Sequence, residues 1–170
     1  SNEAERVSTL IGAYQQILSI LKGYRMIREN IFSLDDVSTL LEGIVKNSIL
    51  EIRWKGIKNY LKEAKTHREK DHFTKSIKSY QDAIKILNEM QDSKKTTETL
   101  ENIQRYIHET RITRLKKIII DLGTKFGRLQ VIEIGEECEE EEEFITKIIK
   151  EMIDAGQIYA RYFESSKAVA

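Results

Sequence analysis

The feature of this sequence that most limits its fold is the complete absence of proline from 170 residues. Proline makes up about 5% of the residues in ordinary proteins, so roughly eight would be expected in a chain of this length. Because proline interrupts helices and is common in turns, its absence favours long helices over a loop-rich architecture. The hydrophobic content of 40% is sufficient for one compact domain or two small ones.

Apolar residues recur every three or four positions along most of the chain, which is the pattern of amphipathic helices. The first stripe extends over residues 3–30, and its heptad spacing from Val7 to Tyr24 is typical of a helix that packs lengthwise on a partner. Residues that can cap a helix N-terminus precede four further stripes: Ser33, Asn47 or Ser48, Asp71 and Thr96. The sequence therefore predicts an antiparallel array of about five helices over residues 1–110.

A second pattern begins near residue 111, because the apolar stripe changes phase between Ile107 and Ile112. We place the boundary between two modules, 1–110 and 111–170, at this point, inside or beside a continuous helix. The second module then shows a helix, a short strand at 129–131, helices at 132–137 and 140–155, and strands at 157–163 and 167–170. Gly156 is expected to end the longer helix in the left-handed conformation. This order predicts a winged helix with a small antiparallel sheet.

These residues resemble the winged-helix end of PCI domains, which occur in the proteasome lid, the COP9 signalosome and translation initiation factor three. The resemblance lies in Phe126–Ile134, the acidic helix that ends at Gly156, and Ile158–Arg161. It implies a non-enzymatic scaffold whose winged-helix sheet packs against neighbouring subunits. PCI domains place tetratricopeptide-like helix pairs before this module, and one such repeat is matched in spacing by Phe73, Ser76, Tyr80 and Ala83.

No catalytic or metal-binding set can be assembled from the sequence. Cys138 is the only cysteine, which excludes an internal disulfide and a cysteine-based zinc cluster. His67 and His72 are separated by a predicted helix break, so we expect solvated side chains and not a metal pair. We therefore expect no enzyme activity, no cofactor and no metal. The single cysteine and the lack of a long apolar run indicate a cytoplasmic protein without membrane insertion.

Positive and negative charges balance at 28 each, but they are segregated along the chain. Seven glutamates lie within residues 136–143, at the start of the helix that would enter the major groove in a DNA-binding winged helix. This negative charge disfavours DNA recognition of that kind. A basic ridge is predicted on two helices: Lys55, Lys58, Lys62, Lys65, Arg68, Arg111, Arg114 and Lys117. The ridge is either an ordinary solvated face or a surface for RNA or an acidic protein.

The strand at 157–163 carries the candidate contact patch. Alternation should point Ile158, Ala160 and Tyr162 inward and leave an aromatic–arginine–aromatic row exposed on the opposite face: Tyr159, Arg161 and Phe163. Tyrosine and arginine are enriched at interaction hot spots. The sequence therefore predicts a scaffold that joins other protein subunits in a hetero- or homo-oligomer. The alternative is an RNA-binding module that uses the basic ridge, and the opposite charges on one chain also permit head-to-tail self-association.

Overall fold

The computed structural model describes residues 3–24 and 34–170. Within these residues the chain is mostly helical and has six helices and one small antiparallel sheet. The elements follow in the order α1 Glu3–Tyr24, α2 Leu34–Glu69, α3 Phe73–Asn88, α4 Lys94–Lys125, β1 Leu129–Gln130, α5 Val131–Cys138, α6 Glu142–Asp154, β2 Tyr162–Phe163 and β3 Ala168–Val169. The part of the first predicted helix beyond Tyr24 and the capping position at Ser33 lie outside the described residues.

Helix α2 corrects the predicted number of helices before the sheet from about five to four in the described chain. The sequence predicted one helix that ends near Val45 and another that begins at Asn47 or Ser48, but both belong to the 36-residue helix α2. A residue that can cap a helix does not by itself end one, because its side chain can also face solvent within a helix. The apolar spacing from Val45 to Ile49 and Ile52 continues the earlier stripe without a break.

Helix α4 is continuous through the change of phase between Ile107 and Ile112. The gap in the apolar stripe is filled by Thr110, whose side chain is fully buried. Its hydroxyl donates to the carbonyl oxygen of Tyr106 at 2.7 Å, so the polar group keeps a hydrogen bond inside the protein. The module boundary between residues 110 and 111 falls inside this helix and stays a prediction.

The described residues form two compact units. The first lies within Ser1–Glu63 and Ser79–Leu100, and the second comprises Ala64–Lys78 and Glu101–Ala170. Buried apolar residues of the first unit come from α2 and α3 and the turn after α3: Ile57, Tyr80, Ala83, Ile86, Leu87 and Met90. In the same unit, the Arg53 guanidinium donates to the carbonyl oxygen of Glu89 at 2.8 Å, which satisfies a carbonyl just beyond the end of α3.

The second unit has its core between α4, α5, α6 and the sheet. Helix α6 contributes four residues that are at most 1% exposed, and the same cluster contains residues of the neighbouring elements: Leu115, Ile119, Val131, Ile134, Ile145, Ile148, Ile149, Met152 and Val169. Gly156 has a φ of +65°, and the Gln157 N–H donates to the carbonyl oxygen of Met152 at 2.8 Å. The predicted left-handed end of this helix is therefore confirmed.

The sheet has the strand order β1-β3-β2, with both pairs antiparallel. Leu129 and Tyr162 both face Val169 across the sheet. The regular strands are shorter than predicted, because Val131 is the first residue of α5 and residues 157–161 precede β2 without strand structure. These elements place residues 157–163 along the outer side of the sheet, where the candidate patch lies.

Candidate interaction surface

The predicted row of Tyr159, Arg161 and Phe163 is exposed in the second unit. Tyr159 is fully exposed at 103%, and Phe163 retains 44% exposure. The alternate residues of the segment pack against the core of the second unit: Ile158, Ala160 and Tyr162. The predicted alternation between inward and outward side chains is therefore confirmed, even though only Tyr162–Phe163 has regular strand structure. Binding of a partner by this row stays a prediction.

The row ends at an open edge of the sheet, because Phe163 belongs to β2 and β2 has β3 on one side only. The Arg161 N–H donates to the Ala170 oxygen at 2.7 Å, and the Ala170 N–H donates back to the Arg161 oxygen at 3.1 Å. Residues of an antiparallel strand alternate in the direction of their backbone groups, so those of Ala160 and Tyr162 point away from β3. No strand in the described part of the chain pairs with this side. The edge can therefore accept an added strand.

An apolar groove of about 390 Å³ lies beside the row, between the end of α4 and residues 157–160. Its walls include Ile120, Phe126 and Tyr159, which are 46%, 55% and 103% exposed. The helical spacing from Ile112 through Leu115, Ile119 and Leu122 predicts that Phe126 continues a buried stripe, and that prediction is wrong. Phe126 follows the last residue of α4, where the helical spacing no longer determines which way a side chain points.

Basic residues adjoin the lining of this groove in sequence or contact it. Arg128 donates to the Ser166 hydroxyl at 2.9 Å and lies 6.0 Å from the centre of the Phe163 ring. Lys116 donates to the side-chain oxygen of Gln157 at 3.1 Å, and Lys125 and Arg161 are exposed. Asp121 is the acidic residue nearest in sequence to the end of α4 and lies within the helix. The groove therefore has apolar walls, and the exposed charged residues that adjoin its lining in sequence are mostly basic.

The seven glutamates of residues 136–143, here called the glutamate run, comprise two that accept hydrogen bonds from basic side chains and five that are exposed. Arg111 donates two hydrogen bonds to Glu140, one of them 2.9 Å from Nε to Oε1, and the Glu140 side chain is only 5% exposed. The hydrogen bond to Glu140 raises the pKa of Arg111. Glu142 accepts from Lys167 at 2.7 Å, which raises the pKa of that lysine. The remaining five carboxylates are exposed and make no ion pair with a described residue: Glu136, Glu137, Glu139, Glu141 and Glu143.

The predicted basic ridge is distributed over both units and is partly neutralised. In the first unit Lys55, Lys58 and Lys62 are exposed on α2. In the second unit four ridge residues have acidic partners, and the pairs are Lys65–Glu69 at 4.0 Å, Arg68–Glu109 at 3.5 Å, Lys117–Asp71 at 2.5 Å and Arg111–Glu140. Arg114 is half-buried on α4. An ion-paired cation attracts a phosphate less strongly than an unpaired one. The ridge therefore attracts phosphate groups less strongly than its sequence indicates.

Two of the histidines lie close together, and the cysteine is buried. The rings of His67 and His72 lie 6.0 Å apart, and Nδ1 of His67 is buried without a hydrogen-bond partner. The prediction of a solvated side chain is therefore wrong for His67, which is half-buried near the end of α2. Burial raises the pKa of the Cys138 thiol, and this favours its unreactive protonated form. Among the described residues, no three potential His, Cys, Asp or Glu ligands are grouped for a metal.

Trp54 lies on the apolar stripe of α2, which predicts a core position, but it is half-buried in the first unit. The ammonium of Lys95 lies 4.2 Å from the centre of its ring. Both residues line a cleft of about 460 Å³. The cation covers the ring face at the edge of this cleft, so the tryptophan has both a packing role and a charged contact.

Comparison of the chain with protein-family models, with curated proteins and with solved structures found no match. None of the helices described here combines the length and the apolar character that crossing a bilayer requires.

Proposed function

We propose that this chain is a non-enzymatic scaffold that binds other protein subunits through the exposed row of Tyr159, Arg161 and Phe163. The observation that carries the proposal is the full exposure of Tyr159 in the segment just before the edge strand β2. A large aromatic side chain in water contributes nothing to the core, whereas aromatic residues and arginine account for much of the affinity of protein interfaces. The backbone groups of Ala160 and Tyr162 supply hydrogen bonds for an extended partner segment at the same edge.

The fold proposed for the second unit is a winged helix of the PCI type. The element order α4, β1, α5, α6, β2, β3 and the central position of β3 support it. The packing of α6 against Val169 and Tyr162 also supports it, because a winged helix buries its last helix under a small sheet. The expectation that the sheet meets neighbouring subunits follows from the same resemblance.

We propose a tetratricopeptide-like fold for the helical part, and the buried residues of α3 support it. The four residues that match the second helix of such a repeat are all buried: Phe73, Ser76, Tyr80 and Ala83. Ser76 is a small residue at a close contact, and its hydroxyl donates to the carbonyl oxygen of Ala64 at 2.8 Å. Small buried residues at such positions allow two helices to approach closely, as stacked helix pairs require.

The charge distribution supports a protein partner over a nucleic acid. Helix α6 begins with Glu142 and Glu143, and exposed carboxylates precede it. A helix with this N-terminus repels the phosphates that line a DNA groove. The ion pairs of Arg68, Lys117 and the other paired ridge residues weaken the alternative of RNA binding.

The proposal is tested by the double substitution Tyr159→Ala/Arg161→Ala in the full-length protein. We expect proteins that co-purify with the tagged wild type to be reduced at least about 10-fold, since two hot-spot truncations of about 1–2 kcal/mol each weaken binding by that factor or more. The melting temperature should change little, because both side chains are exposed. Quantitative mass spectrometry of the purified complexes measures the first quantity and circular dichroism the second.

The chain offers a matched control in Arg105→Ala/Tyr106→Ala, which removes the same two residue types from the exposed side of α4. This control should retain the co-purifying proteins. Equal recovery of those proteins with the wild type and the Tyr159/Arg161 variant would contradict the proposal. A loss of folding in that variant would also contradict it, because it would assign the row to the core.

A further inference from the structure

The groove beside the row has a complementary surface on the same chain. The groove offers exposed apolar side chains, Phe126 and Ile120. The exposed residues that adjoin its lining residues in sequence, which we call its rim, include Lys125, Arg128 and Arg161. A partner that fits it must present an apolar side chain flanked by carboxylates. Such a side chain gains by leaving water, and the carboxylates gain from the rim cations.

Helix α5 presents a surface of this chemistry. Ile132 is 54% exposed, although it lies within a helix whose other apolar residues are buried. Glu136 lies four residues later and therefore on the same side of the helix. The exposed carboxylates of Glu137 and Glu139 follow directly, and neither has an ion-pair partner among the described residues. No residue of α5 lines the groove, so the acidic face and the groove are distinct surfaces.

We propose that two copies of this chain associate head to tail, with Ile132 of one copy in the groove of the other. The glutamates after Ile132 then meet Lys125 and Arg128 at the rim. The formal net charge of the chain is +0, so no overall repulsion opposes the approach of a second copy. The proposal rests on the scaffold function, because it names a second copy as the partner of the groove.

A contact of this kind has a defined consequence for assembly. Each copy uses one surface as the donor and a different surface as the acceptor, so the contact is heterologous and can add further copies or close into a ring. Its charged pairs lie at the rim and are exposed to salt. Association should therefore rise with protein concentration and fall as the salt concentration is raised.

Two variants separate the two surfaces. Lys125→Glu/Phe126→Ala changes the groove, and Ile132→Ala/Glu136→Ala changes the acidic face, while the residues of the exposed row stay intact in both. All four side chains are exposed, so both variants should melt near the wild-type temperature. Sedimentation velocity should show self-association of the wild type, weakened by about 10-fold or more in each variant alone. Glu151→Lys, which reverses an exposed charge on α6, is the control and should associate as the wild type does.

The decisive measurement is an equimolar mixture of the two variants. One variant keeps an intact groove and the other an intact acidic face, so the mixture should form a 1:1 dimer and nothing larger. A wild type that stays monomeric at every concentration and salt would overturn the proposal, as would variants that associate normally or a mixture that stays monomeric. If the wild type is monomeric but the Tyr159/Arg161 variant still loses other proteins, self-association alone fails and the scaffold function stands.

Discussion

Ile149 and Ile120 lie in different environments, so their side chains contribute differently to the free energy of unfolding. Ile149 is 0% exposed within the core of the second unit, whereas Ile120 is 46% exposed on α4. Truncating a buried isoleucine removes its transfer free energy and leaves a cavity. The same truncation at an exposed position removes little.

We therefore expect Ile149→Ala to lower the free energy of unfolding by about 2–5 kcal/mol. The matched substitution Ile120→Ala should change it by less than about 1 kcal/mol. Urea unfolding followed by circular dichroism measures both values. Similar losses at the two positions would contradict the assignment of Ile149 to the core.

Some residue positions follow from the local sequence, and others depend on contacts that only the fold creates. The positions of Gly156 and of the inward and outward residues in 158–163 could be predicted, because backbone conformation and alternation depend on local sequence. The burial of Thr110 and the exposure of Phe126 could not be predicted. A threonine in the core and a phenylalanine in water depend on which neighbours the fold brings near, and helical spacing carries no such information.

At the scale of elements, the strongest difference from the prediction is the continuity of α2 through Asn47 and Ser48. A helix that begins after Asn47 and a continuous α2 predict opposite effects of proline at position 48. If Asn47 capped a separate helix, residue 48 would be its first position, where proline is favoured. Inside a continuous helix, proline removes a hydrogen bond and clashes with the preceding turn.

Ser48→Pro should consequently lower the free energy of unfolding by about 3 kcal/mol or more. Ser48→Ala, which keeps the backbone N–H, should have an effect of less than about 1 kcal/mol. Thermal and urea unfolding of both variants provide the comparison. A Ser48→Pro protein as stable as the Ser48→Ala protein would show that a helix begins at this position.

The elements of the second unit were more predictable than those of the first. The ends of α5, α6 and the strands lie within a few residues of their predicted positions. The sequence signals were Gly156 after α6, the glutamates before α6, and the alternation of apolar residues near β2. In the first part of the chain, residues that can cap a helix were read as ends of helices. A residue that can cap a helix marks a helix end only where the apolar stripe also moves to another side of the helix, or where a glycine or proline is adjacent. Asn47 has no such change of stripe and no adjacent glycine or proline.

For the molecule as a whole, the exposed row and the anchored glutamates belong to one unit. Glu140 is hydrogen-bonded to Arg111, while its neighbours in the run remain exposed. The row could be predicted because successive side chains of an extended segment point to opposite sides, and Ile158, Ala160 and Tyr162 are the apolar set that faces the core. The groove beside it could not be found, because it is formed by residues far apart in sequence, such as Phe126 and Tyr159.

Two readings of function assign the contact to different places on the chain. The scaffold proposal assigns it to Tyr159 in the second unit, and the alternative assigns it to the basic ridge, where Lys58 is exposed in the first unit. A photo-crosslinking amino acid can replace either exposed residue without disturbing the core.

The most direct test incorporates such a residue at position 159 or position 58 of the full-length protein and irradiates the cells that produce it. The account predicts protein adducts at position 159, lost when Arg161→Ala is added, and no adduct to RNA at position 58. Adducts to RNA at position 58 with none to protein at position 159 would contradict it.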